Sequence, residues 1–134
     1  MKESKVLIFR NSVIKHMREQ NYNINQPTSG KNTFTVFPPN GIDFVIIFKK
    51  KFLLIANTFE LNNENREKLL EFVNELNSES LRMKFSLEED DILILDTKLP
   101  NIYQKKEFQN VLDDIGYDMN ELMIGRELLG EMFQ

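Results

Sequence analysis

Few side chains in this chain of 134 residues could do acid–base or metal chemistry. His16 is the only histidine and cysteine is absent, so one chain can form neither a histidine-based triad nor a multi-histidine or thiolate metal site. His16 falls on the polar flank of a helical pattern, which predicts a surface residue. The histidine therefore points to no catalytic role.

Two pairs of adjacent carboxylates, Asp90-Asp91 and Asp113-Asp114, are the remaining candidates for acid–base work or metal binding. The first pair lies in a turn that lacks the glycine and the spaced oxygen ligands of a calcium loop. Adjacent acids in a turn or on a helix are usually solvated, and no glycine-rich phosphate-binding loop occurs. We therefore predict no catalytic residue, no metal and no cofactor, and a protein that is not an enzyme.

Composition narrows the choice of partners. The net charge of −4 and pI of about 5.1 argue against nucleic acid, because phosphate-backbone binding needs a basic surface. Apolar runs such as Phe44–Phe48 are far below the ~20 residues that cross a bilayer, and no signal peptide pattern is present. We expect one domain over residues 1–134, no membrane partner and a cytoplasmic location.

The first half of the chain predicts one helix and three strands. Apolar residues recur at helical spacing from Ser4 to Gln20, and the polar segment Asn21–Asn32 reads as a loop. Three β-rich segments then follow with short turns between them, which predicts an antiparallel meander. Those strands are Thr33–Phe37, Phe44–Phe48 and Phe52–Phe59.

The second half predicts a helix, two strands and a final helix. Asn62 and Asn63 suit a helix N-terminus, and the apolar stripe behind them consists of Leu69, Phe72, Val73 and Leu76. Leu81–Glu88 alternates between apolar and polar residues, and Ile92–Leu99 returns as a fifth strand. The last helix carries Phe108, Leu112, Ile115 and Met119, and a break at Gly116 stays open. The fold class is α+β, with order α-β-β-β-α-β-β-α and a five-stranded antiparallel sheet packed by helices.

The central strands are apolar on both faces. An antiparallel sheet with one solvated face should alternate apolar with polar residues, and these strands do not. Either helices or sheet coiling bury both faces, or a twin subunit or client peptide buries the second one. The candidate partner or dimer surface comprises Val45, Ile47, Leu53, Ile55, Ile92 and Ile94.

The C-terminal stretch Glu121–Gln134 forms an apolar-rich amphipathic segment. Core packing is the first interpretation. A mobile helix that covers a groove and yields to a partner is the alternative, since its methionines adapt to irregular surfaces.

The run from Asn62 to Pro100 resembles the YbjN-like family, in which a helix ending in Leu-Asn precedes a hairpin with an acidic turn. Leu76-Asn77 and the segment Lys84-Phe85-Ser86-Leu87 carry the match. The resemblance implies the fold of the type III secretion chaperones, which are typically small, acidic and dimeric and hold a secreted client in extended form. For Asn77 we weigh a bond to the chain reversal after the helix against a helix C-cap, and favour the cap.

The function that follows is a non-enzymatic protein-interaction module, chaperone-like or regulatory, that forms a homodimer and binds a protein client. Two alternatives stay open. One is an immunity or inhibitor protein with an acidic surface for a basic enzyme. The other is a small-ligand-binding domain with Tyr103 or Tyr117 as the polar group of its pocket.

Overall fold

A computed structural model of the protein describes residues 2–26, 32–61 and 65–132. The described residues form three helices and six strands in the order α-β-β-β-β-α-β-β-α, so the α+β class is confirmed with one strand more than predicted. The elements are α1 (Lys2–Glu19), β1 (Asn23–Asn25), β2 (Thr33–Phe37), β3 (Phe44–Phe48), β4 (Phe52–Glu60), α2 (Arg66–Glu79), β5 (Lys84–Leu87), β6 (Ile92–Pro100) and α3 (Lys105–Met132).

The strands form one antiparallel sheet in the order β1-β2-β3-β4-β6-β5. The added strand β1 lies in the segment predicted as a loop, where Ile24 is buried opposite Val36. A three-residue strand with a single apolar residue has no period to detect, so the sequence pattern could not reveal it. The β2–β3 turn ends in Gly41, whose φ of +122° suits glycine.

All three helices pack against one face of this sheet. Alternate residues of each strand join the helices in one hydrophobic core cluster. None of the described helices is long and apolar enough to cross a bilayer. The helices contribute Phe9, Val13, Met17, Leu69, Val73, Leu76, Phe108, Val111, Leu112, Ile115, Met119 and Leu122, and the strands contribute Ile24, Phe34, Val36, Phe44, Ile46, Phe48, Leu53, Ile55, Phe85, Leu93, Leu95 and Leu99.

Helix α1 ends in a Schellman motif that turns the chain into β1. Asn21 adopts a φ of +67°, and its N–H donates to the Arg18 carbonyl at 3.0 Å. The Tyr22 N–H donates to the Met17 carbonyl at 3.0 Å. These two bonds satisfy carbonyls of the last helical turn, so the helix stops here and the chain reverses.

The ends and continuity of α2 and α3 refine the predicted boundaries. Asn65 is the N-cap of α2, and its side-chain oxygen accepts from the Lys68 N–H at 3.2 Å, whereas Asn62 and Asn63 lie outside the described residues. Helix α3 runs without a break through Gly116, because one glycine only weakens a helix that packs well elsewhere.

A buried carboxylate joins α3 to the link between α2 and β5. Asp118 is 1% exposed. Its Oδ1 accepts from the Leu81 N–H at 2.8 Å, and its Oδ2 accepts from the Arg82 and Met83 N–H groups at 2.9 and 2.8 Å. Three charge-assisted bonds compensate the burial of the negative charge and start β5 at a fixed place. The predicted strand Leu81–Glu88 is shortened at its N-terminal end for this reason.

We expect the substitution Asp118→Ala to lower the free energy of unfolding by about 3 kcal/mol, because one buried and two partly buried amides lose their acceptor. Asp118→Asn keeps the shape but only one acceptor oxygen, so its loss should be smaller. Urea unfolding followed by circular dichroism measures both. Asp90→Ala, at an exposed turn position, is the matched control. Equal stability of Asp118→Ala and this control would contradict the role given to Asp118.

Candidate interaction surfaces

The sheet face that carries no described helix is the first candidate surface, here called the open face. The β3–β4 register places Val45 opposite Ala56 and Ile47 opposite Leu54. These side chains are half-buried, and none belongs to the fully buried core. The open face therefore has an apolar centre on β3 and β4.

The register corrects two residues of the predicted partner surface. Leu53 and Ile55 are 0% and 1% exposed and face the helices, so they belong to the core. Phe52 and Leu54 occupy the open face on β4 instead. A strand that is apolar at every position has no polar residue to mark its solvent side, so its sequence cannot tell which alternate set faces the helices.

On β6 the predicted residues Ile92 and Ile94 do lie on the open face, half-buried. They lie apart from the apolar centre, since Ile94 pairs with Thr58 and Ile92 with Glu60. Charged residues of both signs surround them on the same face. Asp96 lies opposite Ala56, and the Lys98 Nζ lies 5.0 Å from the centroid of the Phe52 ring.

Asn77 blocks the hydrogen-bonding edge of the sheet at β5. Its Nδ2 donates to the Phe85 carbonyl at 2.8 Å, and its Oδ1 accepts from the Phe85 N–H at 2.8 Å. The favoured C-cap interpretation is wrong, because α2 continues to Glu79 and its C-cap is Ser80. The alternative holds: the amide bonds the strand after the reversal. It occupies edge groups that would otherwise pair with another chain.

His16 is a structural residue, and its predicted surface position is wrong. It is 4% exposed, with Nε2 2.8 Å from the Gln109 Oε1 and Nδ1 2.9 Å from the Tyr103 hydroxyl. The Gln109 Nε2 donates to Asp113, which leaves Oε1 as an acceptor, so Nε2 of His16 carries a proton. The ring also meets Phe108 edge to face. These contacts join α1 to α3, a role that the polar flank of the α1 pattern did not reveal.

Neither of the two tyrosines suggested as polar groups of a ligand pocket is placed as such a group. Tyr103 is engaged with His16, and Tyr117 is exposed on α3. The small-ligand alternative therefore gains no support from either residue.

One acid of each adjacent carboxylate pair forms a salt bridge with an arginine. Asp91, with a φ of +62°, lies 2.8 Å from the Arg66 Nη1, and Asp114 lies 3.1 Å from the Arg82 Nη2. Both pairs are partly exposed, so each contributes modestly to stability. Within the described ranges no group of three histidine or acidic residues could hold a metal ion.

A groove between α2 and α3 is the second candidate surface, here called the acidic groove. It encloses a cavity of about 290 Å³. Its apolar lining includes Phe72, Leu76, Phe85 and Ile124, and its acidic lining includes Glu71, Glu75, Glu79 and Glu121. The groove lies on the side of the sheet that the helices cover.

A second cavity of about 270 Å³ lies between α3 and the β2–β3 turn. Tyr22 and Asn120 contribute polar groups to it, and Phe44, Ile115 and Met119 contribute apolar ones. Burial raises the pKa of the Tyr22 phenol above its ordinary value of 10.0, and the negative charge of Asp113 raises it further. Folding therefore favours the neutral phenol.

The C-terminal segment is described only in part. Leu122 is fully buried, whereas Met123 and Ile124 are exposed. Helix α3 extends to Met132, but the side chains of Leu128, Leu129 and Met132, and all of Phe133, lie outside what the structure describes. The covering role of this segment stays a prediction.

We compared this architecture and its sequence with those of known proteins. No protein-family model matches the sequence, and no curated protein matches it. Solved structures do match. An uncharacterized protein from Methanothermobacter thermautotrophicus has a TM-score of 0.66 at 15% identity, over 94% of this chain and 99% of that chain. YbjN from E. coli has a TM-score of 0.61 at 12% identity, over 91% of this chain and 92% of its own.

The chain has a YbjN-like fold. A chain in the heterodimeric ExoU–SpcU complex of the Pseudomonas aeruginosa type III secretion system also matches, with a TM-score of 0.59 at 14% identity over 83% of this chain and 94% of that one. The predicted resemblance to secretion chaperones is thus confirmed for the fold. At such identities the likeness concerns the YbjN-like fold alone.

In this YbjN-like fold, we expect Asn77→Ala to lower the free energy of unfolding by about 2 kcal/mol, because two bonds to Phe85 are lost. The uncovered edge should also raise the rate of aggregation. Urea unfolding and light scattering measure the two effects. Asn74→Ala, one helical turn earlier at an exposed position, is the control. If the two variants behave alike, Asn77 does not protect the edge.

The raised pKa of Tyr22 predicts a loss of stability at alkaline pH. Its stabilisation is complete below the ordinary pKa of about 10 and disappears as pH rises through the higher pKa of the folded state. The free energy of unfolding should therefore fall more steeply above about pH 10 in the wild type than in Tyr22→Phe. Urea unfolding over a series of alkaline buffers measures this difference, with Tyr117→Phe as the control. Parallel profiles for wild type and Tyr22→Phe would contradict it.

Proposed function

We propose that this protein is a non-enzymatic protein-interaction module, chaperone-like or regulatory, that forms a homodimer through the open face and binds a protein partner. The observation that carries the proposal is the apolar centre of the open face. Val45, Ile47 and Leu54 lie there side by side without a described helix over them.

An apolar centre without a described helix over it is unusual in an antiparallel sheet. Such sheets place polar residues on the face that meets water. Here β3 has an isoleucine or valine at each open-face position, and each has an apolar neighbour on β4. Contiguous apolar patches on protein surfaces tend to mark binding sites, because covering them removes apolar area from water.

The charges around the apolar centre favour a second copy as the covering partner. Lys84 and Lys98 are positive, and Glu60 and Asp96 are negative, and all four belong to the open-face side of their strands. A two-fold axis places the same surface on both sides of an interface, so a face of mixed sign can pair each charge with its opposite. A face of one sign would repel its copy.

The protein partner is proposed from the fold and the chain's own residues. The ExoU–SpcU structure is described as a heterodimeric complex of a secretion system, and YbjN is described as a candidate transcription regulator. The net charge of −4 disfavours direct contact with DNA, so a regulatory role would act through a protein. His16, Asp91 and Asp114 have structural partners, which supports a non-catalytic role. The cytoplasmic location stays a prediction.

We expect Ile47→Glu and Leu54→Glu each to convert the dimer to a monomer, because two copies of the new carboxylate would be buried at the interface. Sedimentation equilibrium at micromolar concentrations measures the change. Ile102→Glu is the matched control, since Ile102 is 68% exposed and lies outside the sheet. Circular dichroism checks that each variant is folded.

A wild-type protein that stays monomeric at high micromolar concentration would contradict the homodimer. A dimer unchanged by both substitutions would move the interface away from the open face. The partner is tested separately by affinity purification of the tagged protein from its source cells, with mass spectrometry and an untagged control. A stoichiometric partner is expected, and recovery of this protein alone would exclude a stable client.

A further inference from the structure

The acidic groove combines an apolar floor with one unbalanced sign of charge. Phe72, Leu76 and Phe85 form part of the floor, and Ile124 reaches it from α3. Gly125 has no side chain, which lets the Phe72 ring lie against the α3 backbone, because a Cβ at this position would overlap the ring. The Phe72 ring thus forms part of the floor, and the cavity of about 290 Å³ above it has room for a large apolar side chain from outside.

The rim of the groove carries a straight row of carboxylates. Glu71, Glu75 and Glu79 follow one another at four-residue steps, so they lie on one side of α2 over about 12 Å at ~1.5 Å per residue. Glu121 faces them from α3. Among the described side chains, Glu75, Glu79 and Glu121 form no ion pair, and Lys68 reaches only Glu71, at 4.0 Å. Asp118 adds little to this field because three amides bind it.

This row is unfavourable for α2 itself. Like charges four residues apart repel along a helix. Negative charges near a helix C-terminus also oppose the helix dipole, and the last turn of α2 contains Glu79 and no basic residue. A positively charged partner along the row would relieve both effects. The apolar floor beside the row would be covered by apolar side chains of the same partner.

We infer that the acidic groove binds a basic amphipathic helix of a protein partner. Lysines or arginines at four-residue steps on that helix match the row on α2, and apolar residues on its adjacent face enter the cavity. This is a second surface, on the opposite side of the sheet from the open face. It specifies the chemistry of the protein partner in the proposed function, but it can be tested without the homodimer.

The test uses a fluorescent helical peptide of leucine, alanine and lysine, with lysines at four-residue steps, and measures its binding to the full chain by anisotropy. We expect saturable binding that weakens as salt rises. Neutralising the groove with Glu75→Gln, Glu79→Gln and Glu121→Gln together should weaken binding at least about tenfold. It should also leave the fold intact, because it removes repulsion along α2.

Matched variants separate the groove from general charge attraction. The triple control Glu88→Gln, Glu89→Gln and Asp90→Asn removes the same charge at exposed positions outside both surfaces and should bind as the wild type does. Ile124→Asn should weaken binding through the floor, whereas Ile102→Asn should not. The peptide with glutamate in place of lysine should not bind.

Four outcomes would overturn the inference. The first is no binding of the lysine peptide, and the second is equal weakening of binding by both triple variants. The third is equal affinity for a scrambled peptide of the same composition. The fourth is a shift from dimer to monomer in the groove variant, which would make a second copy the occupant. Ile47→Glu, which tests the open face, should leave peptide binding unchanged. Failure of one proposal is thereby distinguishable from failure of the other.

Discussion

The three hydrogen bonds that Asp118 accepts from residues 81–83 determine much of the remaining structure. They fix α3 against the link after α2, so they set both where β5 begins and how the two helices meet. Once β5 is in place, Phe85 is within reach of Asn77. The β5 edge that Asn77 occupies, here called the sealed edge, and the acidic groove thus both depend on Asp118, a buried carboxylate whose charge is compensated by backbone amides.

Elements with several turns or pleats were predictable from the sequence, because periodicity accumulates with length. The apolar stripes of α2 and α3 and the paired strands β4 and β6 are examples. Strand β1 was not predicted, because Asn23–Asn25 has only one apolar residue and shows no periodicity. The start of β5 was predicted too early, because the alternation of apolar and polar residues continues back to Leu81. The amides of residues 81–83 instead bind the side chain of Asp118, which lies far along the chain.

The surfaces were predictable only in outline. Two-sided apolar strands indicated a face in need of a partner, but the parity of Leu53 and Ile55 depends on which face the helices cover. His16 and Asn77 were assigned from their neighbours in sequence, and their roles come from Gln109, Tyr103 and Phe85, which no local pattern connects to them. The row of glutamates on α2 was not predicted as a surface, because its relation to α3 required the fold.

The sealed edge at β5 also limits what kinds of assembly the protein can form. Growth of a sheet from copy to copy needs free main-chain groups at both edges, and here Asn77 occupies those of Phe85 at one edge while the other edge strand has only three residues. The proposed association through the open face would use one surface per copy and would be complete after two copies. The two edges thus disfavour an open filament, and the proposed homodimer would be a closed, finite assembly.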